Sequence, residues 1–542
     1  MDGPCRRLYS DSPMKPDRSL AHRLIAPVEV FVRQALEACS DPATPLLAGQ
    51  LDPATRRPLR LPDGSGGEIV PCNVANQFNF LRVLQGLSAL LGDSAFRDRA
   101  LAILRFTLRH SRRRGMILWG NHAAVDLLTR KPVFLSVKGK VHELKAHYPP
   151  YDLMWEADPE ALSTYIPYCW HGHLYDWSRL DFSRHGRMDL PDYPLPADPW
   201  GADYAGGETF FIGGGLTFLN AGSDLYYSAA SLARLRKDPR PLLWADRLNR
   251  CYIRTRHPAT GMGGYQYSSI FDKHDPARKR SADRACLQFR DQFPEHNPLD
   301  GTLATPGFMR MITGASALCR FHLAKALPGE GGTAFGRAAA EDIEAYAAHT
   351  YDFEDNTFHP GFTDGFRLTG VTIQKDGYYG PAGHRFEAKP ADWLSFWSHL
   401  AAWRFSRSSL AWSVARNIGL HKGLGDIGAA PGAKPALLLP EQASGELVFG
   451  LLELDLAFPA AGFLPAASAA AELLLRDHYR NGWFVGGDHA VTGIDRAEPL
   501  ALLHVAARLA GLSDALVPYF TNFALDVRCG WVREDFDSRY PT

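Results

Sequence analysis

The chain of 542 residues is long enough for several cores, although closed helical rings of this length also occur as single units. Apolar residues make up 46% and charged residues 22%, ordinary globular values that leave material for a large core. Lys plus Arg and Asp plus Glu are both 59, so no net field recruits nucleic acid or an anionic membrane, and an acidic substrate has to be held locally.

The first residues, MDGPCRRLYSDSPMKPDRSLAHRL, lack an apolar stretch followed by small residues, and no later run has the length to span a bilayer. This predicts a soluble, cytoplasmic protein. The eight cysteines are scattered without a C-x-x-C pair, which predicts reduced, mostly buried thiols rather than a disulfide framework or a thiolate zinc site.

Apolar residues recurring at three and four predict a first helix over Leu20 to Cys39, with Pro27 near an internal boundary or kink. A turn-rich segment follows from Asp52 to Val70. Further helices are predicted at Asn76 to Leu91, Ser94 to His110, Leu216 to Leu235, Leu242 to Thr255, Thr305 to Leu327, Ala334 to Thr350, Trp393 to Ile418, Gly445 to Leu456, Ala466 to Tyr479 and Leu500 to Ala510. The β-branched run Lys131 to Gly139 reads as a hairpin strand, which puts Glu143 at a strand end or loop. Many helices of similar length without a fixed-period repeat predict an all-α chain of paired helices in a ring or bundle, with minor β hairpins in its loops. No linker divides it, so the expectation is one catalytic domain over residues 1–542, with residues 1–19 a flexible lead-in.

Chemistry concentrates between Gly115 and Gly186, where six histidines and four tryptophans stand among several carboxylates. His122, Glu143 and His185 are residue types suited to a first-row divalent cation. None stands at the i, i+4 spacing of a zinc-protease helix, so a shared cation requires the fold to bring them together from separate elements. His171 and His173 in WHGHLYDW are an i, i+2 pair that competes for the metal assignment. Glycine- and aromatic-rich links at Thr260, Lys375 and Asn481 read as site loops. In or beside them, Arg254, Arg284, Lys375 and Arg385 are cations suited to holding carboxylates, and Tyr265, Tyr378 and Trp393 are aromatics suited to stacking on a ligand. The GGG of FIGGGLTF lacks the lysine of a P-loop and the spacing of a dinucleotide fold, and no nucleophile elbow is present.

The segments LWGNH at Leu118 to His122, HELKAHYPPYDLMWEADPE at His142 to Glu160 and SRHG at Ser183 to Gly186 resemble those of polysaccharide lyase family two, the pectate lyases. The intervals of twenty-one residues from His122 to Glu143 and forty-two from Glu143 to His185 agree with that family's ligand order. The resemblance is dense over residues 75 to 190 and thin over the last hundred. It implies an α/α toroid of seven helical hairpins, and a β-elimination on galacturonate polymers or oligomers that leaves 4,5-unsaturated products. It implies further that His122, Glu143 and His185 hold a divalent transition metal, manganese before cobalt, nickel or zinc, with Arg184 as the base. It prefers His185 to His171 and His173, which become groove or packing residues.

Three other readings compete: a lyase on another uronate polymer, an α/α-toroid glycosidase or epimerase using carboxylates such as Asp376, Glu387, Asp488 and Asp495, and a non-catalytic carbohydrate-binding toroid. Arg184 also has a plainer role open to it, clamping a carboxylate with its planar fork.

Overall fold

A computed structural model describes residues 18–62, 67–113, 115–118, 123–134, 141–187, 195–206, 217–265, 268–271, 279–282, 303–304, 309–376, 380–485 and 492–512. His122, Arg284, Tyr378 and Asp488 lie outside them.

The helices are α1 (Arg18–Cys39), α2 (Phe78–Leu91), α3 (Ser94–His110), α4 (Tyr151–Ala157), α5 (Pro159–His173), α6 (Leu219–Arg236) and α7 (Pro239–Arg254). They continue with α8 (Ala317–Ala326), α9 (Gly329–Thr350), α10 (Trp393–Ser406), α11 (Ser409–His421), α12 (Gly445–Ala457), α13 (Phe463–His478) and α14 (Ala497–Leu509). Among the described residues they fall into seven packed pairs: α2 with α3, α4 with α5, α6 with α7, α8 with α9, α10 with α11, α12 with α13, and α14 with α1. That last pair joins the first and last described helices and closes the ring.

Burial separates the two layers. Every residue of α6 from Leu219 to Ala233 is buried, as is every residue of α10 from Trp393 to Trp403 apart from Ser395, which marks these as inner helices apolar or small on all sides. Their partners α7 and α11 bury one face only. Successive inner helices touch: α6 meets the π-helical turn Arg310–Ser316 that leads into α8, that turn meets α10, α10 meets α12, α12 meets α14, and α14 meets α2. One contiguous apolar core runs from Ala21 to Leu509. The architecture is an α/α toroid with short β hairpins in its loops.

Local chemistry sets the helix ends. Asp93, Asp158, Asp238, Asp392, Ser408 and Ser444 each accept a backbone N–H of the first turn that follows them, satisfying donors the helix leaves open. The run predicted as one helix from Trp393 to Ile418 is two, because Arg407 turns left-handed at φ 61° and Ser408 caps a new start. The helix α1 runs through Pro27 without a break in its assignment. Among the described residues no helix is long and apolar enough to cross a membrane, and Cys39, Cys72, Cys169, Cys251 and Cys319 are buried free thiols.

Candidate functional site

The strand Val141–Glu143 pairs antiparallel with His185–Arg187, His142 opposite Gly186 and Glu143 opposite His185. Side chains alternate across a strand pair, so Glu143 and His185 share one face, and His142 and Gly186 share the other. This register brings together two residues 42 positions apart, and it places Glu143 at the end of its strand.

On the first face, Glu143 Oε1 lies 3.7 Å from His185 Nε2 and 3.6 Å from Arg184 Nε. Arg184 Nε donates to His185 Nε2 at 3.3 Å, and the guanidinium lies 4.8 Å over the Phe218 ring. The Glu143 side chain is 1% exposed, while those of Arg184 and His185 retain 20% and 22%. A sequestered carboxylate therefore sits beneath two nitrogen-bearing side chains that remain open to a ligand. One carboxylate oxygen and one imidazole nitrogen suit a first-row divalent cation, and 3.7 Å is a span that two ligands on one such ion can have at about 2.1 Å each. The residues present fit that group, with His122 outside the described residues.

The backbone around Glu143 is held from below by Asp224 in α6. Its carboxylate accepts Lys145 N and Tyr148 N, both at 2.9 Å, while Ala146 N donates to the Asn220 carbonyl and Arg82 Nη2 donates to the Tyr148 carbonyl at 2.5 Å. Ala146 and Tyr148 take φ of 56° and 45°, a left-handed conformation that costs residues other than glycine energy and needs this over-determination. Burial pushes Asp224 up to about 7, against the backbone N–H groups that favour its charge. His147, in the same loop, is driven down to about 4 by burial. Neither residue was singled out from sequence; an aspartate inside the otherwise apolar and small stretch of α6 is the signal that marks Asp224.

On the opposite face, His142, Cys169 and His173 form a buried cluster with donor atoms within 4.8 Å of one another. His173 is buried, and His171 Nδ1 accepts the Trp177 indole N–H at 3.4 Å.

The other predicted residues disperse. Arg254 ends α7 with Nη2 3.3 Å from the Tyr204 hydroxyl. Lys375 and Arg385 are exposed in a loop whose two sides bridge between Thr372 and Arg385, and Arg385 Nε lies 3.5 Å from Glu387. Tyr265 and Trp393 require correction as sugar platforms. Tyr265 is 4% exposed with its ring 5.1 Å from Phe218, and Trp393 is 8% exposed with Lys422 Nζ 5.1 Å over its ring, so neither offers an open face. Tyr265 lies beneath the site instead: its carbonyl accepts Leu219 N, and Phe218 carries the contact on to Arg184.

Residues 44–525 match the family described as periplasmic pectate lyase. The chain belongs to this family. It is a polysaccharide lyase. A pectate disaccharide-lyase of Dickeya dadantii (strain 3937) is 29% identical over 483 residues, covering 86% of this chain and 84% of that protein. Among solved structures, a D-mannose isomerase has a TM-score of 0.41 at 10% identity, covering 86% of this chain and all of that one. The cellobiose 2-epimerase of Spirochaeta thermophila DSM 6192 has a TM-score of 0.41 at 14% identity, covering 81% and 97%. Those two likenesses are too loose to bear on chemistry. The family's description points to the periplasm and corrects the expectation of a cytoplasmic protein, since neither composition nor scattered thiols specify a compartment.

Proposed function

We propose that this lyase acts on pectate or oligogalacturonate by metal-dependent β-elimination, leaving a 4,5-unsaturated uronide. The supporting observation is the single face shared by Glu143, Arg184 and His185, with separations of 3.3 to 3.7 Å. The pectate disaccharide-lyase similarity supports galacturonate as the sugar.

Glu143 and His185, with His122, would hold the cation. When bound, it supplies Lewis-acid neutralisation of the uronate carboxylate and positive potential beside Arg184. The proton on C5 is barely acidic while the neighbouring carboxylate carries its full charge, so neutralisation of that charge comes first. Arg184 takes the C5 proton. The C5–H electron pair forms the C4–C5 double bond, the C4–O4 bond breaks, and the leaving oxygen takes a proton from solvent. A guanidine base is unusual because arginine holds its proton so firmly, and a cation held by Glu143 and His185 would supply the positive potential that favours the neutral form. Phe218 beneath the guanidinium limits its swing. Arg254, Lys375 and Arg385 are the described cations we assign to flanking uronate carboxylates.

Chelated protein is to be assayed on polygalacturonate and on other uronate polymers, with manganese, cobalt, nickel, zinc or calcium restored. Ultraviolet-absorbing product on polygalacturonate that depends on a first-row ion supports the reading. Elimination unaffected by chelator removes the metal from it, and hydrolysis or epimerisation without unsaturated product overturns it.

A further inference from the structure

The face of the hairpin turned away from the site carries its own hydrogen-bonded chain. His173, the last residue of α5, presents Nδ1 to the Ser183 carbonyl at 2.7 Å and Nε2 to His142 Nδ1 at 2.7 Å. Both rings are fully buried, and Ser183 N returns a bond to the His173 carbonyl at 3.0 Å. The carbonyl can only accept, so His173 Nδ1 carries a hydrogen; with both rings neutral, as full burial favours, Nε2 carries the lone pair and His142 Nδ1 is the donor to it. Both tautomers follow from one carbonyl oxygen.

The connections are to the residues flanking the site. His142 immediately precedes Glu143, and Ser183 immediately precedes Arg184 and His185. Gly186, paired with His142, is where the second strand passes closest: a Cβ there would lie 2.6 Å from His173 Nε2. The chain therefore fixes how far α5 stands from both strands at once, and only a residue without a side chain fits in the second strand.

A cation shared by His142, Cys169 and His173 is the rival explanation of the cluster. Two nitrogens on one tetrahedral zinc lie roughly 3.3 Å apart, given bonds of about 2.0–2.1 Å. The observed 2.7 Å is a hydrogen bond.

We propose that His142 and His173 are positioning residues for the reaction, a buried imidazole pair that locks the hairpin so that Glu143 and His185 converge on one cation and Arg184 stands beside them. The proposal rests on the lyase reading, and it concerns residues that touch neither substrate nor metal.

The test compares three substitutions at His142. Asparagine keeps an N–H where Nδ1 stands, glutamine carries it one bond too far, and leucine removes it. Each purified variant is checked for a cooperative melt, then assayed for kcat and KM on galacturonate oligomers and, without substrate, for manganese affinity by calorimetry. His142→Leu is expected to lose about tenfold in kcat and about tenfold in manganese affinity, the lower range for loss of a group supporting metal ligands, with KM changed less than about twofold. His142→Asn is expected to restore both to within about threefold, and His142→Gln to stay low. Gly186→Ala displaces His173 and is expected to reproduce the loss, with no further fall when combined with His142→Leu, because both break one interaction. Should His142→Leu fail to fold, the asparagine and glutamine pair carries the comparison at equal polarity.

Unchanged kcat and manganese affinity in His142→Leu, or asparagine no better than glutamine, overturns the proposal. Zinc that co-purifies and is lost in Cys169→Ser also overturns it, in favour of a metal cluster. A wild type that binds manganese but cleaves no uronate overturns the lyase reading alone, and the manganese affinities of the variants then decide the positioning role. A wild type that does neither overturns both.

Discussion

Glu143 and His185 stand directly opposite one another in a single antiparallel register, Oε1 to Nε2 3.7 Å, and the Arg184 carbonyl receives the N–H of Leu144 at 3.0 Å. The carboxylate, the imidazole and the guanidinium are therefore not independent surface groups. A shift of one residue in this register would carry Glu143 to the face that now holds His142.

Glu143→Gln keeps the shape of the buried side chain and removes its charge. The expected outcome is loss of about 10²–10³ in kcat/KM, the several kcal/mol a metal contributes to neutralising developing charge, together with loss of tight manganese binding. Folding should be little changed, because the Arg184 and His185 side chains beside Glu143 retain contact with solvent. Elemental analysis and the ultraviolet assay check this together. Normal metal content with normal turnover would remove Glu143 from the ligand set.

Arg184 separates base from clamp. Arg184→Ala should abolish unsaturated product while manganese binding and oligouronate binding stay close to wild type, since Glu143 and His185 remain. Arg184→Lys keeps a positive charge that sheds its proton more readily when desolvated, so weak elimination with a shifted pH profile is expected. If Arg184 is a bidentate clamp, both variants lose oligouronate affinity first, by calorimetry, and residual turnover at saturation stays high.

The helical ring was legible because apolar periodicity is local; the caps Asp93, Asp238 and Asp392 set ends that periodicity leaves loose, as at α7, predicted from Leu242 and starting at Pro239. The pair α4 and α5 lies in a stretch where no helix was predicted, although Asp158 caps the second helix and Pro159 occupies its first turn. Glu143, Arg184 and His185 were found through motif order, a property of the family rather than of spacing alone. What motif order does not carry is register. That His142 and Gly186 face away from the site, that Asp224 reaches the loop after Glu143, and that Tyr265 lies under Phe218 depend on pairings between distant segments. Tyr265 and Trp393 misled because an aromatic in a glycine-rich link or at a helix start reads the same whether its face is open or covered.

Asp224 is expected to matter more to the loop than its distance from the reacting atoms suggests. Asp224→Asn replaces one accepting oxygen by an amide NH₂ that faces a backbone N–H, either of Lys145 or of Tyr148. The expected cost is about 1–3 kcal/mol in urea unfolding, the range for a buried donor left without its acceptor. Turnover should fall with it, because Ala146 and Tyr148 no longer have what holds their left-handed backbone. Wild-type stability in this variant would show that the loop is held by Arg82 and Asn220 alone.

The last expectation concerns acid. His399 is buried and His322 half-buried, and desolvation drives each down to about 4, with Arg82 adding repulsion at His322. In the unfolded chain each titrates near 6.5. A depressed folded value means that the unfolded state binds more protons between the two, so the stabilisation is fully present above about 6.5 and is lost as pH falls towards about 4. Each shift is worth about 3 kcal/mol across that window. Asp224 acts with the opposite sign, since its raised value of about 7 gives stability that is present at low pH and lost as pH rises. His142 and His147 are lowered in the same way as His322 and His399, and Asp181, raised to about 6, acts with Asp224, so the lowered histidines outnumber the raised aspartates and urea unfolding should show stability falling from pH 6.5 to pH 4.5. His399→Leu tests the assignment cleanly, because His399 Nδ1 bonds only the Ser395 carbonyl of its own helix, an oxygen the helix already satisfies. In that variant the slope should flatten by about one proton's worth, 1.4 kcal/mol per pH unit, and an unchanged slope would mean that His399 is protonated in the folded protein.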